Sequence, residues 1–214
     1  MKNIRNNPPE SLIFDIDGTL WDSRELVAQG YNIQLRQEGL EHLCVTAEDF
    51  LPLFGKVMTE IADVIFGSLP PQTRYPLMER CMDTENRYLH EHPCDIGYPG
   101  VRETMEKLSR KYRLFIVSNS QCGYPELCIR KLGLEDYISG HLCFGDTGAE
   151  KGVTIRRLME QHRITSAVYI GDTQGDLDAA RQAEIPFIFA AYGFGTPDSW
   201  EGRIERFAQL EELL

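Results

Sequence analysis

The chain has 214 residues, of which 42% are hydrophobic and 26% are charged, proportions that are ordinary for a globular protein. Its formal net charge of −11 at pH 7 argues against nucleic-acid binding, because an acidic surface repels phosphate backbones. No apolar run approaches the roughly 20 residues that a membrane-spanning helix needs, and the opening "MKNIRNNPPE" lacks the apolar core of a secretory signal, so we expect a cytoplasmic protein that neither spans nor binds a membrane.

The predicted elements begin with an apolar strand, "SLIF", at residues 11–14. The following segment, 24–92, has the pattern of several helices and is far longer than a crossover between strands requires, so it predicts a helical subdomain inserted after the first strand. "GYPG" at 97–100 resembles the linker that returns the chain to the core.

Strands and helices then alternate to the end of the chain. The predicted strands are 113–117, 141–144, 167–170 and 186–190, and the predicted helices are 100–111, 124–132, 151–162 and 174–183. The strands are continuously apolar, which is typical of a sheet covered on both faces. This alternation predicts a doubly wound α/β fold with a mostly parallel sheet.

The six cysteines favour reduced thiols over a metal framework. They form no C-x-x-C pair, and no histidine pair lies at zinc-finger spacing, which argues against a structural zinc site. In a cytoplasmic protein we expect thiols rather than disulfides. The cysteines are Cys44, Cys81, Cys94, Cys122, Cys128 and Cys143.

Polar residues stand where three of the predicted strands end. The first strand ends at Asp15, the second at the sequence Ser118-Asn119-Ser120, and the fourth just before Asp172. The carboxyl ends of parallel strands meet at one edge of a sheet, so we expect these residues to converge on one crevice. Asp15 and Asp17, two residues apart, should point to the same side and repel, unless a positive group lies between them or one holds a proton.

Each of these signals also has a purely structural interpretation when it is taken alone. The sequence D-x-D-G can be a turn, Ser118 can cap a helix, and acidic residues in "GDTQGDLD" can face a helix N-terminus. Lys151 is unfavourable in the first turn of a helix and therefore suggests an anionic partner, although it could pair with Glu150 or lie in solvent.

Together, and in this order, the motifs resemble those of the haloacid dehalogenase-like hydrolase superfamily. They are D-x-D-G-T at Asp15–Thr19, a strand ending at Ser118, Lys151, and G-D-x-x-x-D at Gly171–Asp176. The helical insertion is similar to the cap of the subgroup that includes phosphoglycolate phosphatases and β-phosphoglucomutases. The resemblance implies a Rossmann-like core of residues 1–23 and 93–214, with a helical cap domain at 24–92. "DGTLWDS" and "AAYGFG" resemble the phosphoglycolate-phosphatase-like branch.

The resemblance also implies a mechanism for hydrolysing phosphate monoesters. Asp15 would be the nucleophile that forms an aspartyl-phosphate, and Asp17 the general acid and base. Mg²⁺ would be held by the Asp15 carboxylate, the Asp17 backbone carbonyl and Asp172, with Asp176 supporting the site from the second shell or through water. Ser118, the Asn119 backbone N–H and Lys151 would bind the phosphoryl group.

Two other functions remain open from the sequence. One is a phosphomutase of the β-phosphoglucomutase kind, although the cap loop "LFGKVMTE" contains no arginine of the sort that mutases carry. The other is a non-catalytic phosphate- or partner-binding protein. The acid at Asp17 favours phosphate esters over the haloacid and phosphonate substrates of related enzymes.

The cap should select the substrate, a small phosphorylated metabolite such as phosphoglycolate, a sugar phosphate or a nucleotide. Lys56, beside Gly55, is the first candidate for contacting it, and Arg24 is the second. Residues Tyr192 to Gly195 are candidates for the rim of the crevice.

Overall fold

The computed structural model describes residues 8–93 and 95–214. It divides into two compact units, one formed by Met1–Asp22 and Asp95–Leu214 and the other by Ser23–Cys94. The predictions for residues 1–7 and for Cys94 lie outside the described residues. No helix in the described part of the chain combines the length and hydropathy needed to cross a bilayer.

The second unit is helical, as its sequence predicts. It contains α1 (Arg24–Gln37), α2 (Ala47–Phe50), α3 (Met58–Ile65) and α4 (Pro71–Glu91), with 3₁₀ turns at Glu41–Leu43 and Leu51–Leu53. Gly30 lets α1 approach α4 closely, because a Cβ there would lie 2.8 Å from the Glu85 Cα. Tyr31 fills the core of this unit, where its ring meets Phe50 edge-on at 4.9 Å.

The described residues of the first unit form a parallel six-stranded sheet with the strand order β3-β2-β1-β4-β5-β6. The strands are β1 (Ser11–Phe14), β2 (Arg113–Ser118), β3 (Ile138–Cys143), β4 (Ala167–Gly171), β5 (Phe187–Ala190) and β6 (Gly202–Ile204). The strand order reverses direction at β1, so the crevice expected to bind ligand lies at the carboxyl ends of β1 and its neighbours.

Helices follow or precede most of these strands. They are α5 (Val101–Ser109), α6 (Tyr124–Leu132), α7 (Phe144–Thr147), α8 (Lys151–Gln161), α9 (Gln174–Gln182) and α10 (Leu210–Leu213), with a 3₁₀ turn at Phe207–Gln209. One core cluster packs α8 and α9 against the sheet through residues such as Phe115, Ile155, Tyr169 and Leu177. The predicted α/β fold with a doubly wound parallel sheet is confirmed.

The two edge strands depart from the sequence prediction. We expected a strand at 141–144, but β3 ends at Cys143 and begins at Ile138, and Phe144 opens α7. The short strand β6 has no counterpart among the predicted strands. Both lie at sheet edges and carry exposed polar positions such as Ser139 and Arg203, so neither forms the continuous apolar run that identified the central strands.

Candidate functional site

Lys151 lies between two carboxylates at the sheet edge. Its Nζ donates to Asp15 Oδ1 at 2.9 Å and to Asp176 Oδ1 at 2.7 Å, and its side chain is 4% exposed. Glu150, the alternative partner, instead accepts a hydrogen bond from Gln182. The sequence argument that a lysine in the first turn of α8 needs an anionic partner is therefore confirmed, with two partners.

Asp176 is held by the turn that begins α9. Thr173 is the N-cap of this helix, and its backbone N–H and hydroxyl donate to Asp176 Oδ2 at 3.0 and 2.7 Å. The Asp172 N–H donates to the same oxygen at 3.2 Å. One Asp176 oxygen therefore caps α9, in line with the expectation that acids here face a helix N-terminus, and the other oxygen accepts from Lys151.

Asp172 follows β4 and is fixed by two loops. Its Oδ2 accepts a 2.6 Å hydrogen bond from the Phe194 N–H, and Thr19 Oγ1 lies 3.5 Å from its Oδ1. Gly18 has a φ of +80°, and a Cβ at that position would lie 2.2 Å from Asp172 Oδ2. Only glycine can therefore occupy this turn without displacing the carboxylate.

Three carboxylates surround a single cation, Lys151, at this site; they belong to Asp15, Asp172 and Asp176. Each offers an oxygen within 4.8 Å of the others, and all three side chains are buried. Burial and the neighbouring Asp176 raise the pKa of Asp15 from 3.8 to about 7, with Lys151 partly opposing the shift. The site lacks positive charge, because one lysine faces three buried carboxylates.

The pKa values of Asp172 and Asp176 shift in opposite directions, again because of burial and neighbouring charges. Burial and the Asp176 and Asp15 carboxylates raise the pKa of Asp172 well above its usual range. Burial also acts to raise the pKa of Asp176, but the ion pair with Lys151 and the hydrogen bonds from Thr173 hold it below its usual range. Asp176 is thus the carboxylate matched to the lysine, whereas Asp15 and Asp172 resist ionisation unless further positive charge is supplied.

Asp17 has hydrogen-bond partners of its own. Its Oδ1 accepts hydrogen bonds from Trp21 Nε1 at 2.8 Å and from the Tyr124 hydroxyl at 2.7 Å. The rings of Trp21 and Tyr124 meet edge-on at 5.4 Å. Both acids lie beyond the end of β1 at Phe14 and have different hydrogen-bond partners, and the Asp17 charge still adds to the raised pKa of Asp15, as the expected repulsion predicts.

Ser118 is the last residue of β2 and does not cap a helix. Its Oγ is buried and accepts a hydrogen bond from the Ser120 N–H at 3.2 Å, whereas α6 begins only after Gly123. Asn119 follows directly in the chain. Among the described residues, the buried Ser120 hydroxyl has no hydrogen-bond partner. The loop after β2 therefore presents hydroxyl groups at the end of the strand.

The rim candidates and the cap candidates fall in different units. The segment Tyr192 to Gly195 belongs to the first unit, where the Tyr192 hydroxyl donates to the Thr19 carbonyl at 2.8 Å. Lys56 and Arg24 belong to the second unit, the first exposed after a glycine with a φ of +85° and the second opening α1. Their role in selecting substrate stays a prediction.

Several residues around the site were missed by the sequence analysis. Thr173 could have been found, since T-x-x-D before a helix is a capping-box pattern. Tyr169, which donates to the Val117 carbonyl at 2.9 Å and lies 3.4 Å from Asp176, gives no such signal within its apolar strand. The contacts of Trp21 and Tyr124 with Asp17 also depend on the tertiary structure, because Tyr124 is distant from Asp17 in the sequence.

Comparison with known proteins gives a family match over most of the chain. The family model described as "Haloacid dehalogenase-like hydrolase" matches residues 12–190. A phosphoglycolate phosphatase of Xanthomonas campestris pv. campestris is 28% identical over 211 residues, which cover 92% of this chain and 91% of that protein. The pyrophosphatase PpaX of Listeria monocytogenes is 25% identical over 193 residues, covering 88% and 86%.

The solved structures show the same fold. The crystal structure of a predicted phosphoglycolate phosphatase from Haemophilus somnus matches with a TM-score of 0.82 and 19% identity, covering 95% of this chain and 97% of that one.

Proposed function

The chain belongs to the haloacid dehalogenase-like hydrolase family, and we propose that it is a Mg²⁺-dependent phosphatase of small phosphate monoesters. The observation that carries the proposal is the buried group of Asp15, Asp172 and Asp176 around Lys151. Such a group brings a nucleophilic carboxylate, a cation for the phosphoryl oxygens and a set of metal ligands to one sheet edge.

The residues present fit a magnesium ion. The group is rich in carboxylate oxygens, which Mg²⁺ prefers, and its single lysine leaves an excess of negative charge. Asp15, Asp172 and the Asp17 backbone carbonyl would hold the ion, and Asp176 would support the site through its contacts with Thr173, Lys151 and the Asp172 N–H. Bound there, Mg²⁺ would supply the positive charge that lets an anionic phosphate approach a carboxylate.

In the first step, an Asp15 carboxylate oxygen attacks phosphorus. The new bond joins Asp15 to the phosphoryl group, the bond from phosphorus to the ester oxygen breaks, and Asp17 gives a proton to the leaving alcohol. Trp21 and Tyr124 orient the Asp17 carboxyl group for this transfer through their hydrogen bonds to its Oδ1.

In the second step, Asp17 takes a proton from water, whose oxygen attacks phosphorus and releases Asp15 and inorganic phosphate. The Lys151 ammonium and the Ser118 hydroxyl stabilise the charge on the phosphoryl oxygens in both steps, together with the Asn119 N–H. Lys151 is already held in place by Asp15 and Asp176, so little rearrangement is needed when substrate binds.

We propose a small phosphorylated metabolite as the substrate, of the phosphoglycolate or sugar-phosphate kind. The similarity to phosphoglycolate phosphatases supports this class, and the similarity to a pyrophosphatase adds inorganic pyrophosphate to the compounds worth testing. The second unit, at Ser23–Cys94, would act as the cap that selects the substrate, with Lys56 and Arg24 as its candidate contacts.

The test is phosphate release from a panel of phosphoglycolate, sugar phosphates, nucleotides, an aryl phosphate and pyrophosphate, with Mg²⁺ or with chelator. We expect Mg²⁺-dependent release that is lost in Asp15→Asn and kept in the control Asp178→Asn, whose carboxylate is exposed on α9. Exchange of phosphate between sugar positions without release would identify the mutase. Absence of both activities with folded, Mg²⁺-loaded protein would leave the non-catalytic binding protein and refute the proposal.

A further inference from the structure

A second group of metal-ligating side chains lies in the first unit, formed by Cys122, Cys143 and Asp146. One ligand atom of each residue lies within 4.8 Å of the other two. The Cys143 Sγ is 3.1 Å from Asp146 Oδ2, and the Cys122 Sγ is 3.7 Å from Asp146 Oδ1. Each oxygen of the Asp146 carboxylate thus lies near a different sulfur atom. None of the three residues belongs to the carboxylate group around Lys151.

The backbone fixes the positions of these three side chains. Asp146 is anchored because its Oδ2 accepts the Cys143 N–H at 2.8 Å at the start of α7. Gly145 brings α7 against the loop after β2, where a Cβ would lie 2.4 Å from the Cys122 nitrogen. The Gly145 N–H also donates to the Ser120 carbonyl at 3.1 Å. The sulfur atoms and the carboxylate are therefore brought together because the loop after β2 is hydrogen-bonded to α7, which directly follows β3.

We propose that Cys122, Cys143 and Asp146 form a binding site for Zn²⁺ or a similar thiolate-binding divalent cation. Zinc binds cysteine sulfur at about 2.3 Å and carboxylate oxygen at about 2.0–2.2 Å, so sulfur and oxygen ligands of one tetrahedral ion lie roughly 3.5 Å apart. The separations of 3.1 and 3.7 Å, each from one sulfur to a different oxygen of Asp146, bracket this value. Small side-chain rotations would complete the coordination.

The chemistry of this site differs from that of the carboxylate group. Two sulfur ligands favour zinc and softer ions over Mg²⁺, which prefers oxygen. Cys122 and Asp146 are exposed and Cys143 is buried, so an ion can enter from solvent and keep a water as its fourth ligand. The hydrogen bond from the Cys143 N–H orients the carboxylate, as outer contacts commonly do for metal ligands.

The sequence argument against zinc considered cysteines that lie close together in the chain. Here two ligands, Cys143 and Asp146, are three positions apart, and the third comes from the loop after the neighbouring strand β2. An ion bound by all three would join the loop that follows Ser118 to the segment that precedes Lys151. This site is independent of the proposed phosphatase activity.

The experiment uses Co²⁺ as a spectroscopic probe on the whole, reduced protein in excess Mg²⁺, which keeps the carboxylate group occupied. We expect one equivalent of Co²⁺ to produce thiolate-to-cobalt charge-transfer absorption, and Zn²⁺ to displace it. Cys122→Ser and Asp146→Asn should each weaken binding at least about 10-fold. The matched control is Cys44→Ser, a partly buried cysteine of the second unit, which should bind Co²⁺ as the unaltered protein does.

A second readout does not depend on the colour of cobalt. Zn²⁺ should slow alkylation of Cys122 in the unaltered protein and have little effect on it in Asp146→Asn, as followed by mass spectrometry. No charge-transfer band, or an affinity unchanged in both variants, would overturn the proposal. A Cys122–Cys143 disulfide whose reduction restores no metal binding would also overturn it and identify the pair as a redox couple.

Discussion

Asp15→Asn should stabilise the metal-free protein above about pH 7 while it abolishes turnover. Asp15 is buried next to two other carboxylates, so its charge opposes folding when no metal is bound. Asparagine keeps nearly the same shape without that charge. Lys151 retains its 2.7 Å contact with Asp176 in the variant and is not left unpaired.

The magnitude follows from the pKa of Asp15, which is raised from 3.8 to about 7. Between these two values the unfolded chain has lost the proton and the folded protein still holds it, so stability falls as the pH rises. At about 1.4 kcal/mol per unit, the full shift corresponds to about 4 kcal/mol. This is the upper limit of the stabilisation by asparagine, reached above about pH 7 and absent below the ordinary carboxyl pKa of 3.8.

The assay is denaturant unfolding of both proteins in chelator at several pH values across this window. The exposed substitution Asp178→Asn is the control and should change stability by less than about 0.5 kcal/mol at every pH. A bound ion stabilises the folded state. Because Asp15 is one of the proposed ligands, adding Mg²⁺ should stabilise the unaltered protein more than it stabilises Asp15→Asn. An Asp15→Asn variant that is no more stable than the unaltered protein above pH 7, or whose advantage does not grow with pH, would refute the reasoning.

Other predictions concern the neighbours of this group. Gly18→Ala should weaken Mg²⁺ binding and destabilise the protein more than Gly39→Ala does. Both glycines have positive φ values, but only a Cβ at Gly18 would collide with Asp172. In a melting experiment, Gly39→Ala should cost about 1–2 kcal/mol of stability. Equal losses would contradict this view of the turn. Tyr124→Phe should lower kcat about 10-fold or more with little change in KM, because it removes a donor from Asp17. An unchanged kcat would show that the hydroxyl does not orient the acid. Removing Mg²⁺ by chelation should abolish phosphate release, and restoring the ion should recover it.

The central strands and the helices around them could be predicted because their cues are local. Strands β1, β2 and β4 are buried on both faces and therefore appear in the sequence as continuous apolar runs. The edge strands β3 and β6 are partly exposed and mixed in composition, so the sequence predicts only the last three residues of β3 and none of β6. The burial of a central strand is visible in its apolar composition. An edge strand depends more on pairing with a neighbour that lies far away in the sequence.

The sequence by itself determined the family, the fold class and the acids and lysine that meet at the sheet edge, because strand ends in a parallel sheet converge whatever the lengths of the connections. Only the tertiary structure decided how the charges are shared. It paired Lys151 with Asp15 and Asp176, placed the donors Trp21 and Tyr124 on Asp17, and left Asp15 with a raised pKa. Ionisation depends on burial and on distances of a few ångströms between residues far apart in the chain, and sequence spacing encodes neither.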